Sequence, residues 1–215
     1  MRPFCNLTQS PFPQHVCGLL AAVVAYFLGT VSTLAFSTVV VDAGHGGEDR
    51  GGIRSQKTGE KEMTLDVALR LEKLLRGKGI QVVMTRRSDV FVSLEDRATI
   101  ANQYSDSLFV SIHFDAYRDS SARGITIYYT SGRGRNLAQE IHNELLPVIK
   151  PFRSRGLKRQ RFSVLRHTHA PAVLLELGYL TNPIEAKRIR DADYRQKLAE
   201  AICAGIVRYQ KKTAP

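Results

Sequence analysis

Apolar and polar positions fall into blocks along this chain, and the blocks switch between strand and helix periods in regular succession. Thr38-Val39-Val40-Val41 is β-branched throughout and runs into Asp42. A continuous apolar run of this kind reads as a strand buried on both faces. It breaks at Gly44-His45-Gly46-Gly47, a glycine-rich turn. Lys61–Arg76 moves to helical spacing, with Leu65, Ala68, Leu69, Leu71 and Leu75 largely on one face, and ends at Gly77 and Gly79. Ile80–Thr85 reads as a strand, Leu94–Tyr104 as a helix and Ser107–His113 as a second buried strand. Strands follow at Ile125–Thr130, Arg161–Leu165 and Ala172–Leu177, with a helix over Asn136–Ile149 and a closing helix over Asp193–Gln210. The alternation predicts one α/β domain: a mixed, largely parallel central sheet with helices on both faces.

Residues 1–37 stand apart. Arg2 is their only charge, and an apolar run extends from Val16 to Phe36. Its densest part has the length of a signal-peptide core, and Ala35-Phe36-Ser37 resembles a small-x-small cleavage site. The whole run is also long enough to span a bilayer as an uncleaved anchor. Either reading makes 38–215 an exported globular domain. The 215 residues carry 31 basic and 20 acidic side chains, a net charge of +11 that fits an anionic partner. Aromatic stacking motifs and a helix-turn-helix are missing, which excludes the usual nucleic-acid modules. Cys203 is the only cysteine after the leader, so neither a disulfide framework nor a Cys-x-x-Cys metal knuckle is available.

His45, His113 and Glu176 sit at or near strand ends, inside runs that a buried sheet would fill with apolar groups. Sites collect at the carboxyl ends of strands in open α/β sheets. Two histidines and a carboxylate around an open position form the ligand set of a catalytic zinc, and a further carboxylate can act as base. The missing ligand should be an acid near the first loop, where Glu60 and Glu62 both stand.

The stretches VVVDAGHGGEDRGG, GEKEMTLDVALRL, VVMTR, LEDRATIAN, SLFVSIHFDA and PAVLLELGYLTNPIEAKRI occur in that order over Val39–Ile189. Together they resemble the zinc-dependent N-acetylmuramoyl-L-alanine amidases of the type-3 peptidoglycan amidase family. The resemblance implies that His45, Glu60 and His113 hold Zn2+ and that Glu176 is the catalytic carboxylate. It prefers Glu60 to Glu62 through the Glu60-Lys61 pair ahead of the helix. It further implies hydrolysis of the amide joining the muramic acid lactyl group to L-alanine, in wall remodelling or daughter-cell separation. Peptidoglycan is then the anionic partner, in the periplasm or cell envelope of a bacterium, with room for an activator protein and for membrane attachment through the leader. Asp115 departs from the family's usual Asn, and His167 and His169 are not usual there. Spaced two apart on a strand, these histidines read as a surface pair flanking the cleft. Asp42, Asp115, Arg86, His167 and His169 are candidates for contacts to substrate or to the metal ligands, although Arg86 and Arg97 read more simply as salt bridges tying helix to sheet. The basic stretch Arg153–Arg161 is a candidate wall contact, and the site is expected open, without a plugging helix. Lys57-Thr58-Gly59 matches the K-T-G element of penicillin-sensitive serine carboxypeptidases, but S-x-x-K and S-D-N are absent. A non-catalytic wall-binding protein is the other alternative.

Overall fold

The computed structural model describes residues 36–53 and 59–214. Residues 1–35 of the leader and Lys57-Thr58 lie outside them. Six strands form one sheet: β1 (Thr38–Ala43), β2 (Gln81–Met84), β3 (Ser107–Asp115), β4 (Ile125–Tyr129), β5 (Ser154–Arg159) and β6 (Ala172–Tyr179). Their order is β2-β1-β3-β6-β4-β5. β2, β1, β3 and β6 are mutually parallel, whereas β4 runs antiparallel to β6 and is followed in parallel by β5. The expected mixed, largely parallel sheet is the observed one.

Helices α1 (Glu60–Arg76), α2 (Leu94–Asn102), α3 (Gly132–Ile149), α4 (Ser163–His167), α5 (Pro183–Arg190) and α6 (Ala192–Thr213) complete the domain. The alternation of strand side chains explains why both sheet faces must be covered. Val39, Val41, Val110, Ile112, Val173 and Leu175 point into the larger core with α1, α3 and α6. Val40, Phe109 and Leu174 point the other way, into a smaller core with α2 and α4. α3 and α6 approach closely at Gly205, where an added Cβ would stand 2.4 Å from Ile141 Cα. Among the described residues no helix is long and apolar enough to cross a membrane.

Several elements differ from the sequence reading. Arg161–Leu165 is not a strand; the strand is Ser154–Arg159, and Ser163–His167 is a short helix. The true strand lies at the sheet edge, where little of it is buried and its basic residues are tolerated, so it lacks the apolar signature of the inner strands. Leu69 on α1 is exposed and Val67 is buried in its stead. The core also begins ahead of Thr38: Phe36 is only 1% exposed, stacks on Tyr209 with ring centroids 6.3 Å apart, and accepts a hydrogen bond from Gln210 Nε2.

Candidate metal centre and active site

β1 and β3 lie in register from Thr38↔Ser107 to Ala43↔Ile112, so both chains reach the same end of the sheet together. Gly44 follows β1 because nothing larger fits: a Cβ there would meet His113 Cε1 at 2.3 Å. His45 then takes φ 61°, the left-handed region that costs a non-glycine residue on the order of 1 kcal/mol. Its surroundings hold it there. Arg97 donates from Nη2 to the His45 carbonyl at 2.8 Å, and Gly46 and Asp49 exchange backbone hydrogen bonds. The neighbouring glycines admit protein rather than ligand, since a Cβ on Gly46 would strike the Val90 carbonyl and one on Gly47 the Phe91 amide.

Glu60 opens α1, its amide donating to the Arg50 carbonyl at 3.0 Å. That places its carboxyl between the two rings. Glu60 Oε2 is 3.0 Å from His45 Nε2 and Oε1 is 2.9 Å from His113 Nδ1, while the two ring nitrogens are 3.1 Å apart. A tetrahedral zinc with arms of about 2.0 Å needs ligand atoms roughly 3.3 Å apart. The donor atoms of these three residues all lie within 4.8 Å of one another, so type and spacing both fit such an ion. Glu62 is exposed and stands outside the cluster. Burial opposes ionisation of Glu60, but hydrogen bonds and charge from His113 and His45 outweigh it and hold its carboxyl down at about 2. Burial also works against protonated His45, and its hydrogen bonds to Glu60 and Asp49 reverse the balance, raising its pKa. Asp49 Oδ2 sits 2.8 Å from His45 Nδ1, a contact that fixes ring orientation and tautomer and leaves Nε2 facing Glu60. Asp49 escaped the sequence reading, although its spacing four residues after His45 was there to be read.

Glu176 pairs across the sheet with His113 and therefore stands on the same face. Its Oε2 is buried and has no hydrogen-bond partner among the described residues. Burial first, and the charges of Glu60 and Asp115 second, push its pKa well above the usual carboxylate value. Both effects favour the protonated carboxyl more than in a free glutamate. A cleft of about 420 Å³ opens over these residues, with Phe91, Leu94 and Phe162 along its apolar wall. These wall residues also escaped the sequence reading; Phe91 and Leu94 are exposed apolar side chains, the one signal they offered.

The remaining candidates separate. Asp42 is fully buried beneath the site, accepting from Arg97, Thr85 and Ser111 at 2.7, 2.7 and 2.6 Å. Arg86 is buried as well and donates to the carbonyls of Ala43, Gly44 and Lys61. It ties β1 to α1 through backbone oxygens, whereas Arg97 ties α2 to β1 through its ion pair with Asp42. Asp115 lines the cleft and accepts from the Ala116 amide. His167 and His169 do not form a strand pair at the cleft. His167 ends α4, and its ring contacts Ser163 and Arg166. His169 lies before β6 in a separate cavity with Arg133 and Tyr209, at the amino ends of β3 and β6.

An α/β domain that gathers two histidines and a glutamate beside a second glutamate, whose buried Oε2 has no partner among the described residues, has the make-up of a mononuclear metallohydrolase. The family model for N-acetylmuramoyl-L-alanine amidase, Amidase_3, matches residues 39–208, and the chain belongs to that family. It is 42% identical over 174 residues to a probable cell wall amidase LytH of Staphylococcus epidermidis, covering 80% of this chain but only 58% of that relative. The catalytic domain of CwlV, an N-acetylmuramoyl-L-alanine amidase from Bacillus (Paenibacillus) polymyxa var. colistinus, is 36% identical and superposes with a TM-score of 0.77 over 81% of this chain and 98% of CwlV. The CwlD amidase of Clostridioides difficile, solved in complex with the GerS lipoprotein, is 30% identical with a TM-score of 0.77, over 82% of this chain and 99% of CwlD.

Proposed function

We propose that this chain is a zinc-dependent N-acetylmuramoyl-L-alanine amidase that hydrolyses the amide between the muramic acid lactyl group and L-alanine of peptidoglycan. The carrying observation is the convergence of His45, Glu60 and His113 beside the buried, partnerless Oε2 of Glu176. Zinc held by those three residues would supply Lewis acidity and bring a water's pKa toward neutrality. Glu176 takes the proton of the attacking water and returns it to the departing L-alanine nitrogen. Its raised pKa suits it to both transfers. Asp49 keeps the His45 ring in place, and Arg97 keeps its backbone in the left-handed turn. The cleft's apolar wall at Phe91, Leu94 and Phe162 excludes water from one side of the scissile bond.

The apolar leader read over residues 1–37 serves as signal peptide or anchor and carries the activity to the cell envelope, and the burial of Phe36 in the core favours a junction ahead of that residue. An accessory protein is in keeping with the lipoprotein-bound state of CwlD. The test is Glu176→Ala. This variant is expected to lose peptidoglycan hydrolysis while retaining near-stoichiometric zinc, measured by dye release from sacculi and by metal analysis. An active Glu176→Ala protein would overturn the assignment.

A further inference from the structure

Beyond Glu176 the same sheet face continues onto β4 and β5, and there its chemistry changes. Thr126 pairs with Glu176 and Tyr128 with Leu174, which puts both on the site face, while Ile125 and Ile127 turn into the opposite core. On β5 the register runs Ser154↔Ile125, then Leu157↔Ile127 and Lys158↔Tyr128, so three residues of β5 span two of β4. The extra residue is Gly156, at φ 81°. A bulge of this kind resets the alternation of side chains. Ser154 and Leu157 turn toward the α3 side, where Ser154 meets His142. Arg155 and Lys158 consequently both stand on the face of Tyr128 and Glu176.

Arg155 and Lys158 are exposed. The buried arginines 86 and 97 spend their guanidinium groups on internal oxygens. Arg155 instead lies with its Cζ 5.5 Å from the centre of the Tyr179 ring and makes only a long 3.5 Å contact to the Arg123 carbonyl. Among the described residues neither Arg155 nor Lys158 forms an ion pair with a carboxylate. Asp115, the acid nearest Tyr179, is engaged by that tyrosine's hydroxyl and by the Ala116 amide. Tyr128, on the same face, is acted on by the charges of Asp115, Glu176 and Arg155. The cleft has an apolar wall at Phe91, Leu94 and Phe162. Past Phe162, whose ring lies 4.9 Å from that of Tyr128, the same sheet face carries Arg155 and Lys158 on β5.

We propose that Arg155 and Lys158, aimed by the Gly156 bulge, form the subsite that receives the carboxylates of the stem peptide and make the enzyme selective for substrates in which those carboxylates are free. The proposal rests on the amidase reading and specifies which part of the substrate lies toward β5. A guanidinium over the Tyr179 ring, with a lysine on the same sheet face, matches an anionic peptide better than an uncharged sugar.

The test is hydrolysis by the zinc-loaded full chain of a soluble muramyl tripeptide with free carboxylates, set against the same compound with its carboxylates amidated. The unmodified enzyme is expected to favour the free acid by about tenfold or more in kcat/KM, the worth of one charge-assisted hydrogen bond. Arg155→Gln and Lys158→Gln should each lose most of that preference, mainly in KM, with zinc content and Tm unchanged. Arg155→Lys should retain part of it, and Lys211→Gln, which lowers net charge elsewhere, should retain all of it. Equal losses on both substrates, an undiminished preference in the variants, or no preference in the unmodified enzyme would overturn the subsite. Failure of the unmodified enzyme to cut either compound would instead overturn the amidase reading. Calorimetric titration with the free-acid tripeptide then decides the subsite separately, since Arg155→Gln must still weaken its binding.

Discussion

Asp42 offers the sharpest measure of how the site is supported from below. The residue is fully buried, Arg97 is 3% exposed, and Asp42 Oδ1 accepts from Arg97 Nη1 at 2.7 Å. Asp42→Asn keeps the shape of the side chain and removes its charge. The Thr85 and Ser111 hydroxyls can rotate to meet the amide, so the principal loss is compensation of a buried guanidinium. Breaking a buried pair from one side costs about 3–5 kcal/mol, and retention of the hydroxyl contacts places this variant near about 3 kcal/mol. For a domain of this size that corresponds to a Tm lowered by roughly 6–12 °C. Burial pushes the Asp42 carboxyl up, but Arg97 and the two hydroxyls outweigh it and hold it below the usual carboxylate range. A depressed folded value contributes stability that is fully present above the unfolded carboxylate pKa of about 3.9 and is lost only as pH falls through the folded value. The deficit of Asp42→Asn should therefore be the same at pH 5 and pH 8. Urea denaturation followed by circular dichroism measures it directly. A variant within about 1 kcal/mol of the unmodified protein, or a deficit that disappears by pH 5, would refute the reasoning.

Two further substitutions probe other parts of the fold. Gly44→Ala puts a methyl group 2.3 Å from the His113 ring, so His113 must leave its place; zinc affinity is expected to fall about 10-fold or more, read by competition with a chromogenic chelator, and unchanged affinity would show that the ring position is immaterial. Phe36→Ala empties a core position beside Tyr209 and should cost about 3 kcal/mol in chemical denaturation while leaving kcat intact; a smaller loss than about 1 kcal/mol would mean that the domain core begins at Thr38 after all.

The sequence by itself determined the α/β alternation, because inner strands buried on both faces must be continuous apolar runs and α1 must show a helical stripe. It also marked His45, His113 and Glu176, since polar groups at the ends of such runs stand out against their neighbours. Tertiary structure decided the rest. Whether Glu60 or Glu62 turns inward depends on where α1 starts against the Arg50 carbonyl, which no local pattern reveals. The strand at Ser154–Arg159 was hidden because an edge strand needs little burial and so carries little apolar signal. His167 and His169 looked like one pair and belong to two places, because a helix ends between the cleft and the start of β6. The facing of Arg155 and Lys158 turns on a single left-handed glycine and on the register of its partner strand, and register is set by packing across the whole sheet rather than by any stretch of chain.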